Sequence, residues 1–212
     1  MSGTGSSREP PEGASAREAP PPREPNEPMT DEQIIAATVG ERRIHGGPIY
    51  LAEYDPTWLE AFVRHEERIS AALGEGALQI EHVGSTSVPG LAAKPTIDIL
   101  LVVADSADER TYLPAMEAAG YEIRVREPEW HQHRMFADLD RTAQVHVLSD
   151  GNPEIERYVL FRDRLRTNQA DRELYERTKR GLAKREWKYV QNYADAKGTV
   201  VEEVIARARG SN

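Results

Sequence analysis

Glycine, hydroxyls, a lysine and one acid crowd the stretch E-H-V-G-S-T-S-V-P-G-L-A-A-K-P-T-I-D-I-L-L-V-V, residues 81–103. Gly84, Ser85, Thr86 and Ser87 form a small turn signal. Such a turn opening a short helix leaves backbone N–H groups that can cradle a phosphate. Lys94, just before Pro95, could bring a point charge to the same place. Asp98 is the one charge in the aliphatic run 96–103. A carboxylate there is costly unless a metal, a cation or hydrogen bonds compensate it. The plainer alternative makes Ser85 and Thr86 helix caps and Asp98 a backbone cap at a strand edge.

Histidines supply the other candidate chemistry. His146 lies in a second strand-like run, 144–149. On adjacent strands, Asp98 and His146 would approach one ion or act as an acid–base pair. Carboxylate plus neutral imidazole suits zinc or manganese better than magnesium. His82, two residues before Gly84, either joins that metal site or flanks it. His131 and His133 lie in or after a loop. Arg134 could point into the same cleft. Arg162, on a basic helix, could offer a fork to phosphate, although an ion-paired helical surface explains it equally well.

The elements needed to position these groups follow from periodicity and punctuation. Thr30 with Asp31 and Glu32 caps a short helix. Residues 49–54 read as a strand, and Asp55-Pro56 starts a helix with Trp58, Phe62, His65 and Ile69 on its buried stripe. A strand at 78–83 leads into the Gly84 turn; 88–94 has room for about two helical turns before Pro95 stops it. The run 96–103 is a strand covered on both faces. A helix follows at 106–120, then a strand at 121–126 and a hairpin, 134–139 with 143–149, across Asp140-Arg141. The remainder is helical: one helix from Asn152-Pro153, one over 172–188, and one from Tyr189 or Gln191 to Ala208.

Composition limits the classes. Residues 1–28 hold seven of the fourteen prolines and too little apolar surface to offset chain entropy, so 1–29 is expected to be a disordered tail. Residues 30–212 are expected to form a single domain. There is no cysteine, hence no thiol catalysis or cysteine–zinc site. No apolar run reaches the ~20 residues of a membrane span, and the N-terminus does not read as a secretory signal, so a cytoplasmic location without membrane partners is expected. The net charge of −9 argues against general nucleic-acid binding while leaving room for a local basic pocket.

The order glycine-serine, short helix, acid-bearing strand resembles the nucleotidyltransferase superfamily of polymerase-β type. The string H-V-G-S-T-S-V-P-G-L-A-A-K-P-T-I-D-I-L resembles the GrpB family, also found fused behind dephospho-CoA kinase in some bacteria. Y-D-P-T-W at Tyr54, V-H-V-L at Val145, F-R-D-R-L-R at Phe161 and Y-A-D-A-K at Tyr193 are similar to it as well, over roughly residues 49–209. The resemblance implies an α/β (α+β) fold: a mixed sheet of four to six strands flanked by helices, with a helical C-terminal region. It implies that Gly84 and Ser85 hold nucleotide phosphates, and it includes Lys94, Arg162, Arg166 and Lys179 among its basic positions. Two departures stand out. The superfamily's second acid is replaced by Leu100, and its third by His146 on the neighbouring strand.

Three readings stay open: an enzyme transferring a nucleotidyl group with a divalent metal ion (magnesium, manganese or zinc); a degenerate module that binds a nucleotide or assists a protein partner; and a small-molecule enzyme using histidine chemistry in the same cleft.

Overall fold

The computed structural model describes residues 27–210. The tail expected over 1–29 lies almost wholly outside them. The centre is one five-stranded mixed sheet: β1 (Gln79–Val83), β2 (Ile97–Val103), β3 (Tyr121–Glu127), β4 (His133–Asp138) and β5 (Ala143–Ser149). Their order is β1-β2-β5-β4-β3. Only β2 and β5 run parallel; the other pairs are antiparallel. The expected α+β class and strand count hold.

Alternation along the strands gives the sheet two different faces. Ile97, Ile99, Leu101, Val145, Val147 and Phe136 face helix α2 (Thr57–Leu73), through Trp58, Phe62 and Ile69, and α3 (Leu113–Ala118), through Met116. On the opposite face Val83, Leu100, Val102 and Leu148 meet Ile155 and Tyr158 of α4 (Pro153–Thr167). That cover stops short. Asp98, Gln144, His146, Met135 and Ala137 line a cavity of about 560 Å³ instead. Its walls come from α1 (Asp31–Ala37), α5 (Gln169–Ala183) and α6 (Val190–Asp195).

Several expected elements differ. Residues 88–94 form no helix; a 3₁₀ turn, Ser85–Ser87, takes its place. Gly90 turns the chain at φ +78°, and Val88 and Leu91 are buried against Leu165 and Tyr175. The strand expected at 49–54 is reduced to one bridge, Ala52 with Ala93, because Pro95, two residues past Ala93, cannot extend the ladder. The helix expected at 106–120 is a 3₁₀ turn, Glu109–Thr111, followed by α3. The second C-terminal helix starts earlier, at Gln169, where the Asn168 side chain accepts from the Asp171 amide. The last helix divides into α6 and α7 (Gly198–Arg209). Their apolar residues serve different partners: Tyr193 packs on Ile49 and Leu182, Val200 and Val204 on Leu165 and Tyr175.

Candidate functional site

The site begins at the crossing from β1 to β2. Val83 pairs with Asp98 in the ladder, so the chain must turn next to the acid. Gly84 does so at φ +67°, ψ −169°. A Cβ there would lie 2.3 Å from Asp98 Oδ2 and 2.8 Å from Asp98 Cβ. Only glycine permits this backbone and this approach. The turn and the acid therefore share one side of the sheet, and Gly84, Ser85, Lys94 and Asp98 all line the cavity.

Ser85 is anchored from α5. The Lys179 ammonium donates to Ser85 Oγ (2.9 Å) and to the Ala92 carbonyl (2.5 Å), and sits 4.8 Å from the centre of the Tyr175 ring. Lys179 is 2% exposed. Burial pushes its pKa down to about 7, with Lys197 adding repulsion and Asp98 opposing it. Burial likewise lowers Lys94, again opposed by Asp98 and reinforced by Lys197. Lys197 lies 4.5 Å from the Tyr193 ring centre. Lys94, Lys179 and Lys197 all line the cavity. None is ion-paired with a carboxylate among the described residues.

A hydrogen-bonded row crosses the sheet toward Asp98. Glu127 Oε2 is 2.7 Å from His133 Nδ1, and His133 Nε2 is 3.1 Å from His146 Nδ1. His146 Nε2 is 4.0 Å from Asp98 Oδ1. His133 is buried, and burial lowers its pKa, which keeps it neutral near pH 7. The Glu127 carboxylate can only accept, so His133 Nδ1–H donates to it. His133 Nε2 is then an acceptor, and His146 must donate from Nδ1. In the neutral ring His146 Nε2 then carries the lone pair on the cleft side, the orientation a base or a metal ligand needs.

The other expected site residues are elsewhere. His82 alternates onto the α2 face, opposite Ile99, and stacks on Phe62 at 4.7 Å with an interplanar angle of 5°. Burial drives its pKa to about 4. Thr86 is buried, hydrogen bonded to His82 (3.0 Å) and to the Thr96 carbonyl (3.4 Å), so it braces the turn from behind. Arg134 is buried on the α2 face and donates to Glu109 at 2.6 Å. Arg162 donates to Glu81 at 2.6 Å and to the His82 carbonyl at 3.2 Å, clamping α4 to β1. Both arginine forks are spent inside the protein. Leu100, in the place of the second acid, is fully buried with Val83, Val102 and Leu148. The available donors, Asp98 and His146, thus do not fit a two-ion arrangement, which needs several oxygen ligands.

Sequence reasoning left Lys197 and Glu127 out of the site, named Lys179 only as a basic position of the resemblance, and gave His133 no more than a possible place in a metal site. Lys179 carried a signal: it falls on the buried stripe of α5, four residues after Tyr175 and three before Leu182. A lysine at such a position needs an explanation. Glu127 had none, since the loop between β3 and β4 hides its register with His133.

The glycine–serine turn and the strand-borne acid thus open into one cleft on a mixed-sheet α+β fold. The chain belongs to the GrpB family: the family model described as GrpB protein matches residues 48–207. A UPF0157 protein of Halalkalibacterium halodurans is 54% identical over 184 residues, 87% of this chain and 94% of that protein. A dephospho-CoA kinase of Mycolicibacterium paratuberculosis is 29% identical, over 84% of this chain and 51% of that protein. The solved structure of GrpB from Enterococcus faecalis superposes with a TM-score of 0.65 at 32% identity, covering 74% of this chain and 98% of that one. Among the described residues no helix is long and apolar enough to cross a membrane.

Proposed function

We propose that the cleft binds a phosphate-containing ligand of the nucleotide class, with its phosphates between the Gly84–Ser85 turn and Lys94, Lys179 and Lys197. One observation carries this reading. A chain of net charge −9 places three lysines in one cavity without an ion-paired carboxylate among the described residues. Two of them, Lys94 and Lys179, are held below their ordinary pKa by burial first and then by repulsion from Lys197. An anion relieves that repulsion, and a cavity of about 560 Å³ suits a ligand of nucleotide size.

A second reading adds chemistry. The row Glu127–His133–His146 favours proton transfer at His146 Nε2, beside Asp98. A single divalent ion arriving with the ligand would find Asp98 and His146 as its protein donors; two-metal nucleotidyl transfer is not part of this reading.

A thermal-shift screen tests both. Inorganic pyrophosphate, ADP and ATP, each with and without Mg²⁺, Mn²⁺ or Zn²⁺, are compared on wild type, Lys94→Gln and Asp98→Ala. Stabilisation by nucleotide that is lost in Lys94→Gln supports binding. Stabilisation that also needs metal, and is lost in Asp98→Ala, supports the second reading. No shift with any of these anions contradicts the proposal.

A further inference from the structure

The cavity continues beyond the lysines. Its floor runs from Asp98 on β2 across Gln144, Ala137 and Val125 to β3. Three strand spacings separate β2 from β3, about 14 Å. At that far end the lining changes from lysine to arginine: Arg42, Arg43, Arg124 and Arg141. Arg124 is the extra, unpaired residue at an irregularity in the β3–β4 register between Ile123 and Val125. Arg141 sits in the β4–β5 hairpin at φ +58°, and Arg42 and Arg43 follow α1.

The charges at this end do not cancel. Arg124 donates to the Glu41 carbonyl (2.7 Å) and has one carboxylate nearby, Glu122 at 3.7 Å. Arg42, Arg43 and Arg141 have no ion-paired carboxylate among the described residues. The acids in range are Glu41 and Glu122, against four guanidinium groups. Arg141 is lowered from its ordinary pKa by desolvation and by Arg124 and Arg43, opposed by those two glutamates. Like charges gathered at the mouth of a cavity raise the free energy of the empty state and lower that of an anion-bound one. Between the two cationic ends the floor and roof carry apolar surface: Met29, Ile34, Val125, Met135 and Val190.

We infer that Arg43, Arg124 and Arg141 form a second oxyanion subsite, set apart from the three lysines in the same cavity, which takes a phosphate or carboxylate group on another part of the ligand or on a co-substrate. The ligand class is then a molecule, or a pair of molecules, with anionic groups at both ends and an uncharged body between them. Guanidinium forks hold either oxyanion bidentately. This subsite extends the reading of the lysine end as a phosphate site, and the two fail separately.

The test is titration of the ¹⁵N-labelled protein with inorganic phosphate, and in parallel with acetate, followed by amide and arginine Nε signals. Wild type is expected to show two groups of shifts with phosphate, one at Gly84–Ser85 and one at Arg124, Arg141 and their neighbours. The double variant Arg43→Gln/Arg141→Gln removes side chains that make no hydrogen bond within the described protein, so its fold should persist. It should weaken phosphate at the second group at least tenfold and leave the first group unchanged. Shifts with acetate at the arginine end would widen its class to carboxylates. An arginine end that is silent to both probes, or equally responsive in the double variant, overturns the inference. Movement at the arginine end without movement at Gly84–Ser85 would instead sink the lysine-end reading and leave this one standing.

Discussion

Gly84 carries more of the site than its size suggests. Its positive φ and its contact with Asp98 are two independent demands, and a side chain violates both. Gly84→Ala should therefore destabilise the fold by more than about 1 kcal/mol, as a lower urea midpoint, and should displace Asp98. An unchanged midpoint would mean the turn does not have this geometry. Lys179 gives a second residue-scale prediction. Its pKa near 7 means that it is charged below pH 7 and increasingly neutral above it. An anion bound beside it favours the charged form, so affinity should hold below pH 7 and fall as pH rises through about 7. Sulfate, whose own charge is constant there, is the probe. In Lys179→Met the binding should be weaker, and this fall above pH 7 should be absent. A wild-type profile flat from pH 6 to 9 would contradict the assignment.

Elements decide which residues meet. The parallel pairing of β2 and β5 brings Asp98 and His146 to one face, and alternation sends His82 and Arg134 to the other. This part was legible in sequence: the aliphatic run around Asp98, the hairpin at Asp140-Arg141 and the Asn152-Pro153 helix start all formed. What sequence could not give was the register across the sheet. Whether His82 or Asp98 faces the cleft turns on one residue of offset, and His133 meets Glu127 only through a pairing that the intervening loop conceals. The arginines illustrate the other gap. Arg134 and Arg162 have the chemistry of phosphate ligands, but their partners Glu109 and Glu81 are distant in sequence and claim them first. The row of histidines carries the element-scale prediction. Imidazole ¹⁵N shifts should show His146 protonated at Nδ1 and bare at Nε2. His133→Phe should remove that preference, whereas an Nε2–H tautomer in the wild type would break the proposed row.

Over the whole molecule, burial of imidazoles sets the response to acid. His65, His82 and His133 are all buried, and in each case burial is the largest cause of a lowered pKa, to about 4 for His82. Below pH 6.5 the unfolded chain takes up protons that the folded chain resists, so stability is lost as pH falls through that window. Glu81, where burial is outweighed by hydrogen bonds from Arg162 and Gln79, and Glu109, held low by Arg126 and Arg134, extend the loss at still lower pH. The urea midpoint should drop between pH 7.5 and 5.5, and a constant midpoint would mean that the histidines are accessible. The same molecule is acidic overall yet cationic in one cavity, and the functional reading depends on that contrast.

The most direct measurement is calorimetric titration of the wild-type protein with inorganic pyrophosphate at low salt, repeated with Lys94→Gln. Saturable binding is expected, with a component at the Gly84–Ser85 turn that the substitution weakens at least tenfold. No binding, or binding of equal strength in the variant, would contradict it.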